Sequence, residues 1–171
     1  MTLAPLVTAA LAAAPPASPE RVSHVYEQHL AGPPERVLPL LTPLGERDWA
    51  PGWEPQMRWE PPDRVGTLFV IAHPGHPDTV WLLDTWEPSQ GHLHYVHVTP
   101  GSDVTEIDIR LRAEGAARTI ATVRYTWTAL GVPGVALVKG RTPEAYVQAM
   151  RHWEMQLNHF LTTGRKLPAE H

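Results

Sequence analysis

Histidines are the first residues of this sequence that could do chemistry, since it contains ten of them and no cysteine. His92, His94 and His97 lie close together, and His73 and His76 flank a Pro-Gly turn. On a strand, His92 and His94 share one face and His97 points to the other. Two imidazoles on one face make an incomplete zinc site, and no carboxylate lies at ligand spacing. We therefore expect no metal and no other cofactor, and the lack of cysteine excludes thiolate ligands, disulfides and a cysteine nucleophile.

Asp84 is a candidate acid or base, because it lies beside Leu83 and Trp86 in an otherwise apolar segment. Inside a cavity, burial would raise its pKa and suit it to proton transfer. We favour the alternative, an outer-face carboxylate paired with a neighbouring arginine, because such carboxylates usually stay solvated. The sequence contains no Gly-x-Ser-x-Gly, P-loop, dinucleotide-binding or His-Glu-x-x-His motif. Hydrolase, nucleotide-dependent and zinc-protease chemistry therefore lack support.

Aromatic residues form the larger set of candidates, with seven tryptophans and four tyrosines. A simple core is usually built from Leu, Ile and Val, whose packing leaves no polar atom stranded. Indole N–H and phenol O–H groups can instead orient a ligand's polar atoms within a largely apolar cavity. Core filling remains the alternative for some of them. The candidate pocket residues are Trp53, Trp59, Phe69, Trp81, Tyr95, Ile107, Ile109, Tyr125, Trp127, Tyr146, Met150 and Trp153.

The elements that must position these residues follow from hydrophobic periodicity and turn residues. Seven segments bounded by turn residues have strand composition: 22–31, 54–60, 65–72, 79–86, 92–98, 104–112 and 118–128. The alternation of Ile107 and Ile109 with Asp108 and Arg110 is typical of an antiparallel strand with one wet face. Short connections between successive strands favour a meander.

Helices are predicted before and after this run of strands. Pro33-Pro34-Glu35 begins a short helix, Thr42-Pro43-Leu44-Gly45 breaks it, and residues 46–49 form one further turn. Thr142-Pro143-Glu144 begins a long helix that ends at Gly164. That helix would be about 33 Å long at 1.5 Å per residue. Its apolar stripe consists of Tyr146, Met150, Trp153, Leu157 and Phe160.

Only the long helix is large enough to cover the inner face of the sheet. We therefore predict an α+β fold: a curved antiparallel sheet of six or seven strands wrapped around a long C-terminal helix, with two short helices after the first strand. With 171 residues, the chain has the length of one domain, which we place at residues 21–164, followed by a short tail at 165–171.

Residues 1–20 are rich in Ala and Pro and are predicted to be a disordered tail. The alternative is a signal-like segment, but no Lys or Arg precedes its apolar run. If this segment is a disordered tail, we expect a cytoplasmic protein. If residues 1–17 act as a signal peptide, we expect an exported one. The apolar run, at about twelve residues, is too short to span a membrane. The net charge of −4 argues against a nucleic-acid partner, because phosphate binding needs a basic face.

The order of elements and several motifs resemble the START-like SRPBCC superfamily, which includes polyketide cyclase/dehydrase-type proteins. The resemblance covers residues 20–164. It is carried by Gly32-Pro33-Pro34-Glu35-Arg36-Val37, Leu41-Thr42-Pro43, Trp49-Ala50-Pro51-Gly52-Trp53, Thr126-Trp127-Thr128-Ala129-Leu130 and the region of Trp153. It implies the helix-grip fold, with a deep cavity between the sheet and the long helix. No catalytic signature defines the superfamily, so the resemblance indicates architecture better than activity.

Three functions fit this resemblance. The first is binding of a hydrophobic small molecule, such as a lipid, an aromatic compound or a polyketide-like compound. The second is an aromatase/cyclase in which Tyr, His or Asp moves protons. The third is a co-chaperone-like interaction module. A buried titratable group in the cavity would favour the second, a dry apolar cavity the first, and a filled core with an exposed apolar patch the third.

Overall fold

The computed structural model describes residues 19–59 and 64–168, which contain one seven-stranded antiparallel sheet. Its strands are β1 (Arg21–Leu30), β2 (Gln56–Trp59), β3 (Thr67–Ile71), β4 (Thr79–Glu87), β5 (His92–Thr99), β6 (Asp103–Ala113) and β7 (Thr119–Ala129). The spatial order is β1-β7-β6-β5-β4-β3-β2. Strands β2 to β7 thus form the predicted meander, and β1 returns to pair with β7, which leaves β1 and β2 at the two edges.

The helices are α1 (Pro34–Val37), α2 (Pro43–Glu46), α3 (Val132–Lys139) and α4 (Pro143–Thr163), and a 3-10 turn at Leu38–Leu41 joins the first two. The predicted long C-terminal helix and the two short helices after the first strand are confirmed. The position of the second short helix is corrected, because α2 lies on residues that were expected to break a helix. Thr42 Oγ1 accepts a hydrogen bond from Gly45 N at 3.0 Å, and Pro43 fills the first helical position. This segment therefore starts a helix, as Thr-Pro also does at α4.

Helix α3 is absent from the predicted elements, because Gly131, Pro133 and Gly134 are typical turn residues. In the structure Pro133 lies in the first helical turn, where proline is tolerated. A Cβ atom on Gly134 would overlap the carbonyl oxygen of Ser102, so this glycine lets α3 pack closely on the β5–β6 turn. The backbone N–H of Leu130 donates to the same carbonyl at 2.7 Å.

Helix α4 is joined to the edge strand β1 by side-chain hydrogen bonds. Glu154 accepts from the backbone N–H of His29 (2.8 Å) and from the hydroxyl of Tyr26 (3.1 Å). Asn158 accepts from the backbone N–H of Ala31 (2.7 Å) and donates to the carbonyl of His29 (2.8 Å). These bonds satisfy backbone groups on the free edge of the sheet. The helix is therefore fixed along β1.

The apolar face of α4 completes the core. Its residues Tyr146, Met150, Leu157 and Leu161 are buried. None of the helices in the described part of the chain is long and apolar enough to cross a membrane. Most of the predicted tail at residues 1–20 and the last three residues of the chain lie outside the described residues.

Candidate ligand-binding cavity

Three adjoining chambers lie along the inner face of the sheet, two of them between the sheet and α4. The inner chamber has a volume of about 290 Å³ and the middle chamber about 360 Å³. They share Trp81, Tyr125, Ala149 and Met150. The outer chamber, of about 710 Å³, meets the middle one at Trp81, His97 and Arg141. Because neighbouring chambers have walls in common, we treat them as one cavity.

Each wall of this cavity comes from a different element. The sheet forms the floor, and α4 contributes a side wall that includes the small residues Ala145 and Ala149. Ala50 and Trp53, from the connection between α2 and β2, face α4 across the inner chamber. The outer chamber is enclosed by the β3–β4 and β5–β6 connections and by α3.

Ten of the twelve predicted pocket residues line the inner or middle chamber: Trp53, Trp81, Tyr95, Ile107, Ile109, Tyr125, Trp127, Tyr146, Met150 and Trp153. Phe69 does not line either one. It is 1% exposed, and its ring stacks on Trp81 with centroids 5.5 Å apart. It therefore supports the cavity wall from behind.

Trp59 is the prediction that the structure corrects, since its side chain is 67% exposed and lines none of the three chambers. The register of β2 shifts between Met57 and Trp59, so that Met57 pairs with Phe69 and Trp59 with Leu68. Phe69 and Leu68 lie on opposite faces of β3. The shift therefore moves Trp59 to the outer face, which simple alternation along the strand does not predict.

Several of the lining aromatic residues use their polar atoms within the protein. The bonds run from Trp53 Nε1 to Pro43 O (2.9 Å), Trp81 Nε1 to Thr79 Oγ1 (2.8 Å), Tyr95 Oη to Leu41 O (2.9 Å) and Tyr146 Oη to Val123 O (2.8 Å). Within the described residues, the Tyr125 hydroxyl and the indole N–H groups of Trp127 and Trp153 have no such partner. These three donors are available to a bound molecule.

Glu46 is a lining residue that the sequence analysis missed. It lies at the end of α2 and faces the inner chamber. Its carboxylate has no ion pair or hydrogen bond within the described ranges, and burial raises its pKa well above the ordinary value. The pKa of Tyr125 is also raised, first by burial and then by the nearby Glu46 charge. The chamber thus holds a carboxyl group that favours its neutral form.

A helical spacing in the sequence could have revealed Glu46. Trp49, Ala50 and Trp53 follow it at intervals of three, four and seven residues, which place them on one helical face. The backbone N–H groups of Trp49 and Ala50 both donate to the Glu46 carbonyl. Gly45 also has no room for a side chain, because a Cβ atom there would overlap the carbonyl of Pro39. This close packing fixes α2 and directs Glu46 inward.

His97 lies on the inner face of β5, opposite to His92 and His94, as expected. Its ring stacks on Trp81 with centroids 4.2 Å apart, and its buried Nδ1 has no partner in the described part of the chain. Burial lowers the pKa of His97 to about 4, with smaller lowering effects from Arg141 and His73 and an opposing effect from Asp103. His97 is therefore neutral near pH 7.

The other histidines of β5 belong to an ionic network on the outer face. His92 contacts the carboxylates of Glu87 (3.2 Å) and Asp108 (3.0 Å), and His94 Nδ1 lies 2.6 Å from Asp84. Asp84 is exposed there, as the favoured alternative expected, but its partner is His94 and not an arginine. An irregularity in the β4–β5 register between Leu83 and Thr85 brings the two side chains together. Among the described residues, no group of three His, Asp or Glu side chains could hold a metal ion.

Comparison with known proteins identifies the fold. No protein-family model matches the sequence, and no curated protein matches it. A solved structure of norcoclaurine synthase from Thalictrum flavum, in complex with dopamine and hydroxybenzaldehyde, is 12% identical with a TM-score of 0.61, covering 89% of this chain and 96% of that one. CalU16 from Micromonospora echinospora is 21% identical with a TM-score of 0.54, covering 84% of each chain.

A third similar structure is the Mll3558 protein from Rhizobium loti, at 18% identity and a TM-score of 0.59, covering 83% of this chain and 98% of that one. At such identities the likeness shows a shared fold and no more. The predicted helix-grip fold is thereby confirmed.

Proposed function

We propose that this protein binds a small, largely apolar molecule with an aromatic portion in the cavity between the sheet and α4. One observation carries the proposal. The inner chamber is walled mainly by aromatic and aliphatic side chains, with His152 and Gln156 of α4 beside them. It contains a carboxyl group, that of Glu46, with no partner in the described residues. Such a chamber offers stacking surfaces together with one point of polar recognition.

The chemistry of the walls indicates what such a ligand contributes. A buried polar group without a partner costs about 1–3 kcal/mol, so a ligand hydroxyl or amine that bonds to Glu46 offsets this cost. The Tyr125 hydroxyl in the same chamber supplies a further hydrogen-bond donor. Trp81, Tyr125 and Trp153 offer ring surfaces on three sides of the chamber. Dopamine and hydroxybenzaldehyde, the molecules in the norcoclaurine synthase complex, are small aromatic compounds bearing hydroxyl groups, which supports this ligand class.

The test uses the uncharged fluorescent probe N-phenyl-1-naphthylamine, titrated into the full-length protein. We expect saturable binding with increased fluorescence. Ala149 lines both the inner and middle chambers from α4, so Ala149→Trp should obstruct these two chambers and abolish probe binding in them. Gln148→Trp places the same indole on the exposed side of the same helix and should bind the probe as the parent protein does.

Absence of saturable binding in the parent protein overturns the proposal. Equal binding by the parent protein and Ala149→Trp also overturns it, because the probe would then lie outside the cavity. Native mass spectrometry of protein purified from its own host would identify the natural ligand by its mass.

The second candidate function is proton transfer of the kind a polyketide cyclase performs, and Glu46 favours it. A carboxyl group with a raised pKa is a stronger base when ionised, and it can remove a proton from a carbon next to a ketone. The Tyr125 hydroxyl can donate a hydrogen bond to the enolate oxygen that forms. The proton then resides on Glu46, where it exchanges with solvent, and the carboxyl group returns a solvent-derived hydron to the carbon.

The two candidates differ in the exchange of carbon-bound hydrogen. The substrate for this test is 1-acetylnaphthalene, incubated in D₂O with either the parent protein or Glu46→Gln. If Glu46 catalyses enolisation, the parent protein should replace the methyl hydrogens with deuterium faster than the variant does. Mass spectrometry measures the uptake. Equal rates for the parent and variant exclude a catalytic role of Glu46 in enolisation and leave the binding function.

A further inference from the structure

We propose that the junction of the middle and outer chambers is an anion subsite centred on Arg141, which receives an acidic group of the bound molecule. This inference rests on the proposed binding function and specifies its ligand class. The ligand is an amphipathic acid, with an aromatic body along the inner and middle chambers and a carboxylate or similar anion at Arg141. Among the described residues that line the inner chamber there is no Lys or Arg.

Arg141 lies two residues before the start of α4 and lines both the middle and outer chambers. Its guanidinium carbon is 5.5 Å from the centroid of the Trp127 ring, a cation–π distance that places the charge beside an aromatic wall. Within the described ranges Arg141 has no ion pair. Its backbone is fixed separately, because its carbonyl oxygen lies 2.6 Å from His24 Nε2.

The other charged groups of the outer chamber leave this arginine uncompensated. His73, His76 and His97 line the chamber, and among the described lining residues Asp103 is the single carboxylate. Asp103 is 2% exposed and accepts hydrogen bonds from the hydroxyls of Ser102 (2.9 Å) and Thr105 (3.0 Å). The Asp103 carboxylate is therefore hydrogen-bonded to neighbouring hydroxyl groups and not to Arg141. A guanidinium in this setting is suited to bidentate binding of a carboxylate.

His97 provides a second, independent observation at the same junction. Its Nδ1 is buried without a hydrogen-bond partner among the described residues, and the ring is held in place by Trp81. Asp103, Arg141 and His73 are the charged or titratable groups that act on it. An anion bound beside Arg141 would favour protonation of His97, so binding of an anion should strengthen as the pH falls toward 5.

Glu46 and Arg141 lie in different chambers, and this separation constrains the shape of the ligand. Glu46 belongs to the inner chamber only, and Arg141 to the middle and outer chambers only. Trp81 and Tyr125 lie between them, because both line the inner and the middle chamber. A molecule that reaches both ends places its apolar body against these rings.

The experiment compares two probes that differ by one sulfonate group: 8-anilinonaphthalene-1-sulfonate and N-phenyl-1-naphthylamine. Both are titrated into the parent protein, Arg141→Gln, Arg141→Lys and the control Arg151→Gln. Arg151 is exposed on α4 and lines none of the three chambers. For Arg141→Gln, we expect the affinity ratio of the sulfonate probe to the neutral probe to fall about tenfold, the loss of one charge-assisted contact. Arg141→Lys should keep part of the affinity ratio that Arg141→Gln loses, and Arg151→Gln should leave the ratio unchanged.

In the parent protein, the same ratio should rise as the pH is lowered from about 7 to about 5. An unchanged ratio in Arg141→Gln overturns the anion subsite while leaving the binding function intact. An equal loss of affinity for both probes also overturns it, because the arginine would then have only a structural role. If neither probe binds the parent protein, the proposed function itself fails.

Discussion

The Glu46 carboxyl group lies among aromatic rings in the inner chamber, with no ion pair in the described part of the chain to stabilise its charge. Burial raises its pKa well above the ordinary value. A raised pKa in the folded state means that the folded protein binds the proton more tightly than the unfolded chain does. Stability from this group is therefore complete below about pH 4.3, the ordinary pKa of Glu, and is lost as the pH rises toward the folded pKa.

Glu46→Gln should consequently become more stable than the parent protein as the pH increases. We expect equal free energies of unfolding near pH 4.5 and a gain of about 1–3 kcal/mol for the variant near pH 8, where the charged carboxylate is costly to bury. Urea denaturation across this pH range measures both. Glu54→Gln, at an exposed position before β2, should follow the parent curve. Parallel curves for Glu46→Gln and the parent would contradict the account of Glu46.

His97 should produce the opposite pH dependence. Its pKa falls from about 6.5 in the unfolded chain to about 4 in the folded protein, chiefly through burial. The stability that it contributes is thus complete above about pH 6.5 and is lost as the pH falls toward 4, by about 3 kcal/mol in all. His97→Asn should lack this portion of the acid destabilisation in urea titrations between about pH 7.5 and 4.5. The control His76→Asn changes an exposed loop histidine and should retain it; identical slopes for both variants would refute the role of His97.

The docking of α4 on β1 is a property of two elements joined by a few side chains. Asn158 both accepts from Ala31 N–H and donates to the His29 carbonyl, as a neighbouring strand would. Asn158→Ala leaves both backbone groups without protein partners. We expect it to lower the free energy of unfolding by about 2 kcal/mol and to increase hydrogen exchange at the Ala31 amide. Gln148→Ala, on the exposed side of the helix, serves as the control, and faster exchange in that variant as well would contradict a local effect.

The packing of α3 against the β5–β6 turn makes a prediction about glycine. Gly134→Ala introduces a Cβ atom that overlaps the Ser102 carbonyl, so we expect a loss of about 1–3 kcal/mol in the free energy of unfolding. Gly140→Ala is the matched control, because the nearest atom to its Cβ is the Leu137 carbonyl oxygen at 3.4 Å and its φ is −75°. Thermal denaturation of both variants measures the difference. If Gly134→Ala is as stable as Gly140→Ala, the close approach of α3 is not required.

Across the whole molecule, binding in the cavity should stabilise the fold by mass action. At a probe concentration of about 100 times Kd, the gain is about 2.7 kcal/mol, which raises Tm by about 5–10 °C in a domain of this size. N-phenyl-1-naphthylamine should produce this shift in the parent protein and in Gln148→Trp but not in Ala149→Trp. An equal shift in all three proteins would indicate binding outside the cavity.

The sequence predicts most of this architecture because hydrophobic alternation and helix starts are local signals. The alternation at Ile107 and Ile109 locates β6 and its inner face, and the Thr142-Pro143 start locates α4. Local patterns do not reveal that α3 packs closely on the β5–β6 turn, where Gly134 lies in a helix against the Ser102 carbonyl. Nor do they reveal the register shift that turns Trp59 outward, since a shift depends on the partner strand.

The two faces of the sheet show a similar limit. The predicted wet outer face is present at β6, where Glu106, Asp108 and Arg110 alternate with buried residues. On β4, however, Val80 and Leu82 lie on the outer face and are 39% and 37% exposed. Apolar residues occupy both faces there, so alternation alone does not distinguish them. For Glu46, the helical spacing indicates which face it shares with Trp49 and Trp53, but its burial depends on the strands and on α4, which meet it only in the folded chain.

The attachment of α4 to β1 has a consequence for the timing of ligand exchange under the proposed binding function. All the side-chain bonds described between Glu154, Asn158 and β1 lie along one flank of the helix, whereas Ala145 and Ala149 line the cavity. A guest that passes these small side chains breaks none of those bonds. Under the proposed function, we expect its residence time to be set by its own contacts with the cavity and not by the lifetime of the folded state. We therefore expect that one folded molecule can bind and release the proposed ligand many times before it unfolds.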